Sequence, residues 1–220
     1  MPSPFDLSGP MMPPASSAPP KQIVLLLHGL GADGNDLIGL APHWARILPD
    51  AVFVSPNAPF PCDMGPYGYQ WYSFADGSME MRLAGVRAAA TILDGFIDSL
   101  LARFALADDR LALVGFSQGS VMSMHTAPRR AKPIAGVVGY SGMLVGEDAL
   151  AAEVKSRPPV LLVHGTADQV LPFTAMAAAE RALKAAAIPI ETHARPGLAH
   201  GIDEEGLRLG GAFLKRVFQA

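Results

Sequence analysis

Cysteine is almost missing from this chain. Cys62 stands alone among 220 residues, which excludes an internal disulfide and any thiolate cluster able to hold zinc. A lone thiol suits a reducing compartment, so a cytoplasmic location is expected. An excess of basic charge is also missing: 17 Lys and Arg stand against 20 Asp and Glu, a formal net charge of -3. The basic residues are scattered, so no field suited to a phosphate backbone arises and no nucleic-acid partner is expected. No uncharged apolar run reaches the roughly 18 residues of a spanning helix. Residues 1–20 lack a basic stretch leading into an apolar one, so neither a transmembrane segment nor a secretory signal is expected.

Glycine is present, but not in the spacing of a nucleotide loop. Gly29, Gly31 and Gly34 match neither G-x-G-x-x-G nor the Lys-Ser/Thr ending that grips phosphates. His28 and His164 each precede a glycine, near Asp33 and Asp168 respectively, without the spacing of a zinc site. Each is expected to make a buried hydrogen bond that shapes its loop. No metal and no cofactor is called for.

What the chain has in quantity is apolar surface, at 50% of its residues, enough for one sizeable core. Residues 21–220 read as a single domain of alternating strands and helices. Ile23 to Leu27 is an unbroken β-branched and leucine run, the pattern of a strand buried on both faces. A helix is expected from about Asp36 to Leu48, a strand over Ala51 to Ser55, and a long helix from Met79 to Arg103 with Met81, Ala84, Ala88, Ile92 and Phe96 on its apolar side. Leu111 to Val114 returns to the sheet, and a helix follows Ser117 to about Thr126. Strands over Ile134 to Tyr140, Pro159 to Val163 and Ile188 to Thr192 alternate with helices over Phe173 to Ala187 and Glu204 to Phe218. Such alternation implies an α/β fold, a mostly parallel sheet with helices on both faces. Loops at the carboxyl ends of its strands should then carry the site. Residues 1–20 hold seven prolines, which exclude a helix and restrict pairing to a sheet edge; the segment is expected to lie as an arm against the body.

The chemistry is concentrated in three of those loops. Gly115-Phe116-Ser117-Gln118-Gly119 places a serine between glycines after an apolar run, the setting of a tight strand-to-helix turn that exposes a nucleophile. Asp168 ends the run from Pro159, and His200 lies in Gly197-Leu198-Ala199-His200-Gly201. The order serine, acid, histidine is that of α/β-hydrolases and differs from the two common protease orders. A serine hydroxyl needs a base to take its proton, which His200 can supply, and Asp168 can fix the tautomer that points Nε2 at Ser117. Asp203 is the competing acid. The backbone N–H groups of Gln118 and Leu30 are the expected donors to a tetrahedral oxyanion. Leu30, Trp71, Phe74, Met143 and Val170 lie beside strand ends and are candidates to contact an acyl chain. Cys62 lacks the glycine setting of a nucleophile. Acyl transfer to water follows, with a small-molecule or lipid-like ester as substrate.

The chain resembles the phospholipase/carboxylesterase group of α/β-hydrolases, which includes bacterial carboxylesterases and acyl-protein thioesterases. The resemblance runs from residue 21 to 218. It rests on His28-Gly29-Leu30-Gly31-Ala32-Asp33-Gly34, Pro56-Asn57-Ala58-Pro59, Trp71-Tyr72, Gly115 to Gly119, Tyr140-Ser141-Gly142, His164 to Asp168, Val170 and Gly197 to His200. It implies a minimal, largely lidless hydrolase with Ser117, Asp168 and His200 as triad, Leu30 and Gln118 as oxyanion donors, and a homodimer in several members. It also implies hydrolysis of short to medium acyl esters through an acyl-serine intermediate. Acyl-protein thioesterase or lysophospholipase activity on longer chains is the alternative. Two stretches depart from the family pattern: Pro61 to Gln70, which borders the groove, and Thr126-Ala127-Pro128-Arg129-Arg130, at a helix end.

Overall fold

The structure is a computed structural model that describes residues 6–75 and 77–219. Among these, seven strands form one sheet: β1 (Met11–Met12), β2 (Gln22–Leu27), β3 (Ala51–Val54), β6 (Leu111–Phe116), β7 (Gly136–Tyr140), β8 (Val160–Gly165) and β9 (Ile190–Arg195). The order is β1-β3-β2-β6-β7-β8-β9, parallel except where β1 runs antiparallel to β3 at one edge. A separate hairpin joins β4 (Phe60–Pro61) to β5 (Tyr69–Gln70).

Alternation along β2 explains why both faces are covered. Ile23, Leu25 and Leu27 pack into one apolar layer with α3 (Met79–Phe104), α4 (Gln118–Thr126), α5 (Glu147–Glu153) and α6 (Thr174–Ala185). Val24 and Leu26 pack into the other with α1 (Gly34–Ile38), α2 (Ala41–Ala45) and α7 (Glu204–Val217). A strand with no polar face can be stable only between two such layers. The proline-rich arm follows the edge: Ser55 N–H donates to the Pro10 carbonyl at 3.0 Å and Asn57 N–H to Ser8 at 2.7 Å. Residues 1–5 of that arm lie outside the described residues.

Three expectations from sequence need correction. The helix expected from Asp36 to Leu48 is two short helices, because Gly39 ends α1 and Pro42 sits in the first turn of α2, where it lacks the N–H that would bond back to Ile38. The buried side of α3 is Val86, Ala89, Leu93, Phe96, Ile97 and Leu100, while Met81 is 54% exposed. Two stripes are compatible with helical spacing there, and the one with the larger side chains removes more apolar area from water. Helix α5 went unforeseen: it is only seven residues long and has no side-chain cap. The short β4–β5 hairpin, in a stretch read as loop, was not foreseen either, and elsewhere the shifts are one to three residues at element ends, the largest at the end of β9, which reaches Arg195 where Thr192 was expected.

Parallel register brings the strand ends level. Leu27 pairs with Gly115, Phe116 with Tyr140, Tyr140 with Val163, and Gly165 with Arg195. The segments that follow β2, β6, β8 and β9 therefore emerge along one rim. Gly119, in the first turn of α4, rests directly on the backbone at the end of β2: a Cβ there would overlap the Leu27 carbonyl. We expect Gly119→Ala to destabilise the protein by on the order of 3 kcal/mol. Gly201→Ala, whose Cβ meets open space, should stay within about 0.5 kcal/mol. Urea denaturation of both variants checks the contrast.

Candidate active site

Ser117 occupies the turn between β6 and α4 with φ 54° and ψ -115°, a conformation that a residue bearing a side chain adopts only under constraint. The constraint is visible. Ser117 N–H donates to the Tyr140 carbonyl at 3.0 Å, its own carbonyl accepts from Val121 at 3.1 Å, and a Cβ on Gly115 would strike the backbone of Gly119. The turn is too tight for anything but glycine at those two flanks, which is how the serine is held out at the rim.

His200 and Asp168 arrive from the loops after β9 and β8. His200 Nδ1 lies 2.8 Å from Asp168 Oδ2. Opposite an ionised carboxylate Nδ1 carries the proton, which leaves Nε2 as the acceptor. The other oxygen, Asp168 Oδ1, accepts from the Val170 and Leu171 amides at 2.9 Å each. Burial pushes the Asp168 carboxyl up, but hydrogen bonds from His200 and from the Leu171 and Val170 amides outweigh it and hold the group below its ordinary value. His164, also buried, has Nε2 3.0 Å from the Leu171 carbonyl and 3.2 Å from Asp168 Oδ2, so it shapes this loop. Asp203 is engaged elsewhere: it pairs with Arg195 at 3.0 Å and accepts from Gly206 N–H at the start of α7.

Ser117, His200, Leu30 and Gln118 line one cavity of about 420 Å³. Phe74, Met143 and Val170 line it too, as do Tyr72, Phe116 and Leu171, which sequence alone did not single out. Trp71, expected there, is fully buried behind the cavity. Its indole N–H donates to the His28 carbonyl at 3.1 Å and its backbone N–H to Gln118 Oε1 at 2.9 Å. Of the pair that follows β5, Tyr72 faces the cavity and Trp71 the body. Cys62 is not in the lining.

The loop after β2 is braced from behind by polar groups that are all satisfied. Ala58 N–H donates to His28 Nε2 at 2.9 Å, so Nδ1 carries the proton and donates to the Gly29 carbonyl at 2.7 Å. Burial holds the His28 pKa below its ordinary value, so the ring is neutral at pH 7. The Gln118 amide donates to the Tyr72 carbonyl at 2.7 Å. The departing segment 61–70 clamps the same loop: Gly31 N–H donates to Tyr69, and Tyr69 N–H to Ala32, at 2.9 and 2.8 Å. Ser141 was missed as well. It has φ 46° and lies 3.3 Å from the Gly201 carbonyl, tying down the turn that carries His200.

The depressed Asp168 pKa fixes a sign. Its contribution to stability is complete above the unfolded carboxylate value near 3.9 and is lost as pH falls through the lower folded value. The stability advantage of the native protein over Asp168→Asn should therefore shrink between pH 7 and pH 3, measured by urea denaturation at each pH.

A family model described as phospholipase/carboxylesterase matches residues 14–218. The solved structure of esterase PE8 is 40% identical and superposes with a TM-score of 0.91, over 96% of this chain and 99% of its own. An acyl-protein thioesterase 1 of Schizosaccharomyces pombe is 31% identical over 169 residues, 73% of this chain and 74% of the relative. Esterase YpfH of Escherichia coli is 28% identical over 194 residues, 86% of this chain and 80% of the relative.

Proposed function

Since the chain belongs to the phospholipase/carboxylesterase family of α/β-hydrolases, we propose that Ser117 is the acyl-accepting nucleophile, His200 its base and Asp168 the carboxylate that orients that base. Hydrolysis of carboxylic esters or thioesters is the reaction class of the chain. The observation that carries the residue roles is the 2.8 Å contact of His200 with Asp168 beside the cavity that Ser117 also lines.

In this reading Ser117 Oγ attacks the substrate carbonyl carbon as His200 Nε2 takes its proton, and Asp168 stabilises the resulting imidazolium. The oxygen that becomes negative is received by the Leu30 and Gln118 backbone N–H groups. Support for Gln118 comes from its place in the first turn of α4, where backbone N–H groups have no intrahelical acceptor. The imidazolium then gives its proton to the departing alcohol or thiol. Water attacks the acyl-serine with His200 again as base, releasing the acid and restoring the serine.

The walls favour a neutral, apolar substrate. Phe74, Met143, Phe116 and Leu171 surround the serine, Asp36 also lines the cavity, and no Lys or Arg among the described residues does. A small or lipid-like ester with a short to medium acyl chain fits such walls. One observation favours the longer-chain reading, as a thioesterase or lysophospholipase: Met64 and Val170, both in the lining, are 67% and 66% exposed, so the cavity has an apolar lip along which a longer chain can continue. A cytoplasmic location and a homodimer belong to the same proposal. The lone Cys62 supports the first, and sedimentation of the purified chain tests the second.

Hydrolysis of p-nitrophenyl esters from two to sixteen acyl carbons tests the proposal. Ser117→Ala should abolish turnover, and Asp168→Asn should lower it on the order of 10⁴-fold, the size of loss that the wrong histidine tautomer causes in a serine protease triad. Optimal turnover at two to six carbons supports the short-chain reading, and an optimum at eight or more the longer. Native turnover in Ser117→Ala would overturn the assignment.

A further inference from the structure

Alternation along β6 runs on past its last fully buried residues and brings one aromatic ring to the site. Ala112 and Val114 pack into the layer of α1, α2 and α7, and Phe116, two positions on, packs half-buried against the same layer, as side chains at i and i+2 of a strand share a face. Register levels Phe116 with Tyr140 at the rim, where the loop after β9 brings in His200. The Phe116 and His200 rings have centroids 4.9 Å apart and planes tilted by 46°, within the spacing of interacting aromatic pairs. The phenyl ring also meets the loop after β2. A Cβ on Gly29 would lie 3.2 Å from Phe116 Cδ1 and 3.3 Å from the Ser117 Cβ, so that loop packs here by backbone alone.

His200 has need of such a neighbour. Its Nδ1 contact with Asp168 Oδ2 at 2.8 Å holds one atom of the imidazole, and a ring held at one atom can still swing about that bond. Phe116 supplies a second contact, and 17% of the His200 side chain is left exposed.

The contact also has an electrostatic side. When the base takes the serine proton its ring becomes a cation, and a phenyl ring within about 6 Å attracts a cation through its quadrupole. The neutral imidazole gains much less, so the contact favours the form present in the transition state. The other charged or titratable groups around His200 are Asp168 at Nδ1 and His164, which lies 3.2 Å from Asp168 Oδ2. Ser117, Tyr72 and Asp36 line the same cavity, and the Arg195–Asp203 pair joins the end of β9 to the start of α7. None of these is altered when Phe116 is replaced.

We propose that Phe116 is a positioning residue for the reaction, holding the His200 ring in place and favouring its cationic form. This rests on His200 being the base.

Phe116→Leu and Phe116→Met keep apolar bulk but remove the quadrupole, whereas Phe116→Tyr keeps it. NMR titration of the His200 ring, assigned by its loss in His200→Gln, reads the pKa with no substrate present. Turnover of p-nitrophenyl butyrate against pH reads the reaction. A contact that favours the cation raises the pKa, so its loss should lower the His200 pKa by about 0.5 in both non-aromatic variants. The acid limb of kcat/KM should move with it, and kcat should fall about threefold at pH 8 with KM within about twofold of native. Phe116→Tyr should titrate as the native protein does. Two non-aromatic variants, each checked for cooperative unfolding, give independent readings if one fails to fold. An unchanged or raised His200 pKa in the folded non-aromatic variants, or the same fall in Phe116→Tyr, would overturn the proposal and leave Phe116 as cavity wall alone. Failure of the triad assignment shows separately, as turnover in Ser117→Ala, because the NMR titration needs no turnover.

Discussion

The site depends on one backbone contact: the first turn of α4 lies directly against the end of β2, at a separation that leaves no room for a side chain on Gly119. This contact joins the two central strands through the helix that follows one of them. It sets the Ser117 turn and the Leu30 loop on one opening, and it fixes the height of the serine above the sheet. The positive φ at Ser117 is a local cost that the surrounding packing over-determines, as strained residues at functional sites require.

Behind the opening, position is maintained by hydrogen bonds among buried groups. Gln118 holds the chain at Trp71 and Tyr72, Trp71 holds the His28 carbonyl, and His28 bridges Ala58 and Gly29. Every member has a partner, and the low local dielectric strengthens such a chain while making any gap expensive. The same logic gives Asp168 its setting, with both carboxylate oxygens engaged. His125 and Thr126 are the contrast, since similar burial leaves them with polar atoms unpaired.

Helix α4 thus presents different chemistry at its two ends. Its N-terminal turn faces an apolar cavity suited to a neutral acyl group, and its C-terminal turn faces a cavity walled by guanidinium and carboxylate groups. Each of its nine residues is buried, so the helix is a rigid strut between them. The two stretches that depart from the family pattern serve these two places: 61–70 clamps the loop after β2, and 126–130 contributes to the second wall.

The sequence by itself determined the layered α/β fold and the loops that carry chemistry. Unbroken apolar strands such as Ile23 to Leu27 admit only a doubly covered sheet, and the glycines that flank Ser117 mark a turn whose geometry excludes side chains. Local signals of this kind need no knowledge of distant contacts. The break in the helix at Gly39 and Pro42 was legible in principle, because it rests on a missing N–H. What only the tertiary structure decided was which face each side chain presents and which partner it meets. Trp71 against Tyr72, the buried stripe of α3, Asp168 against Asp203 and the clamp by Ser141 all turn on residues far apart in the chain. Register between parallel strands sets those meetings, and hydrophobic pattern alone does not encode them when both faces of the sheet are buried.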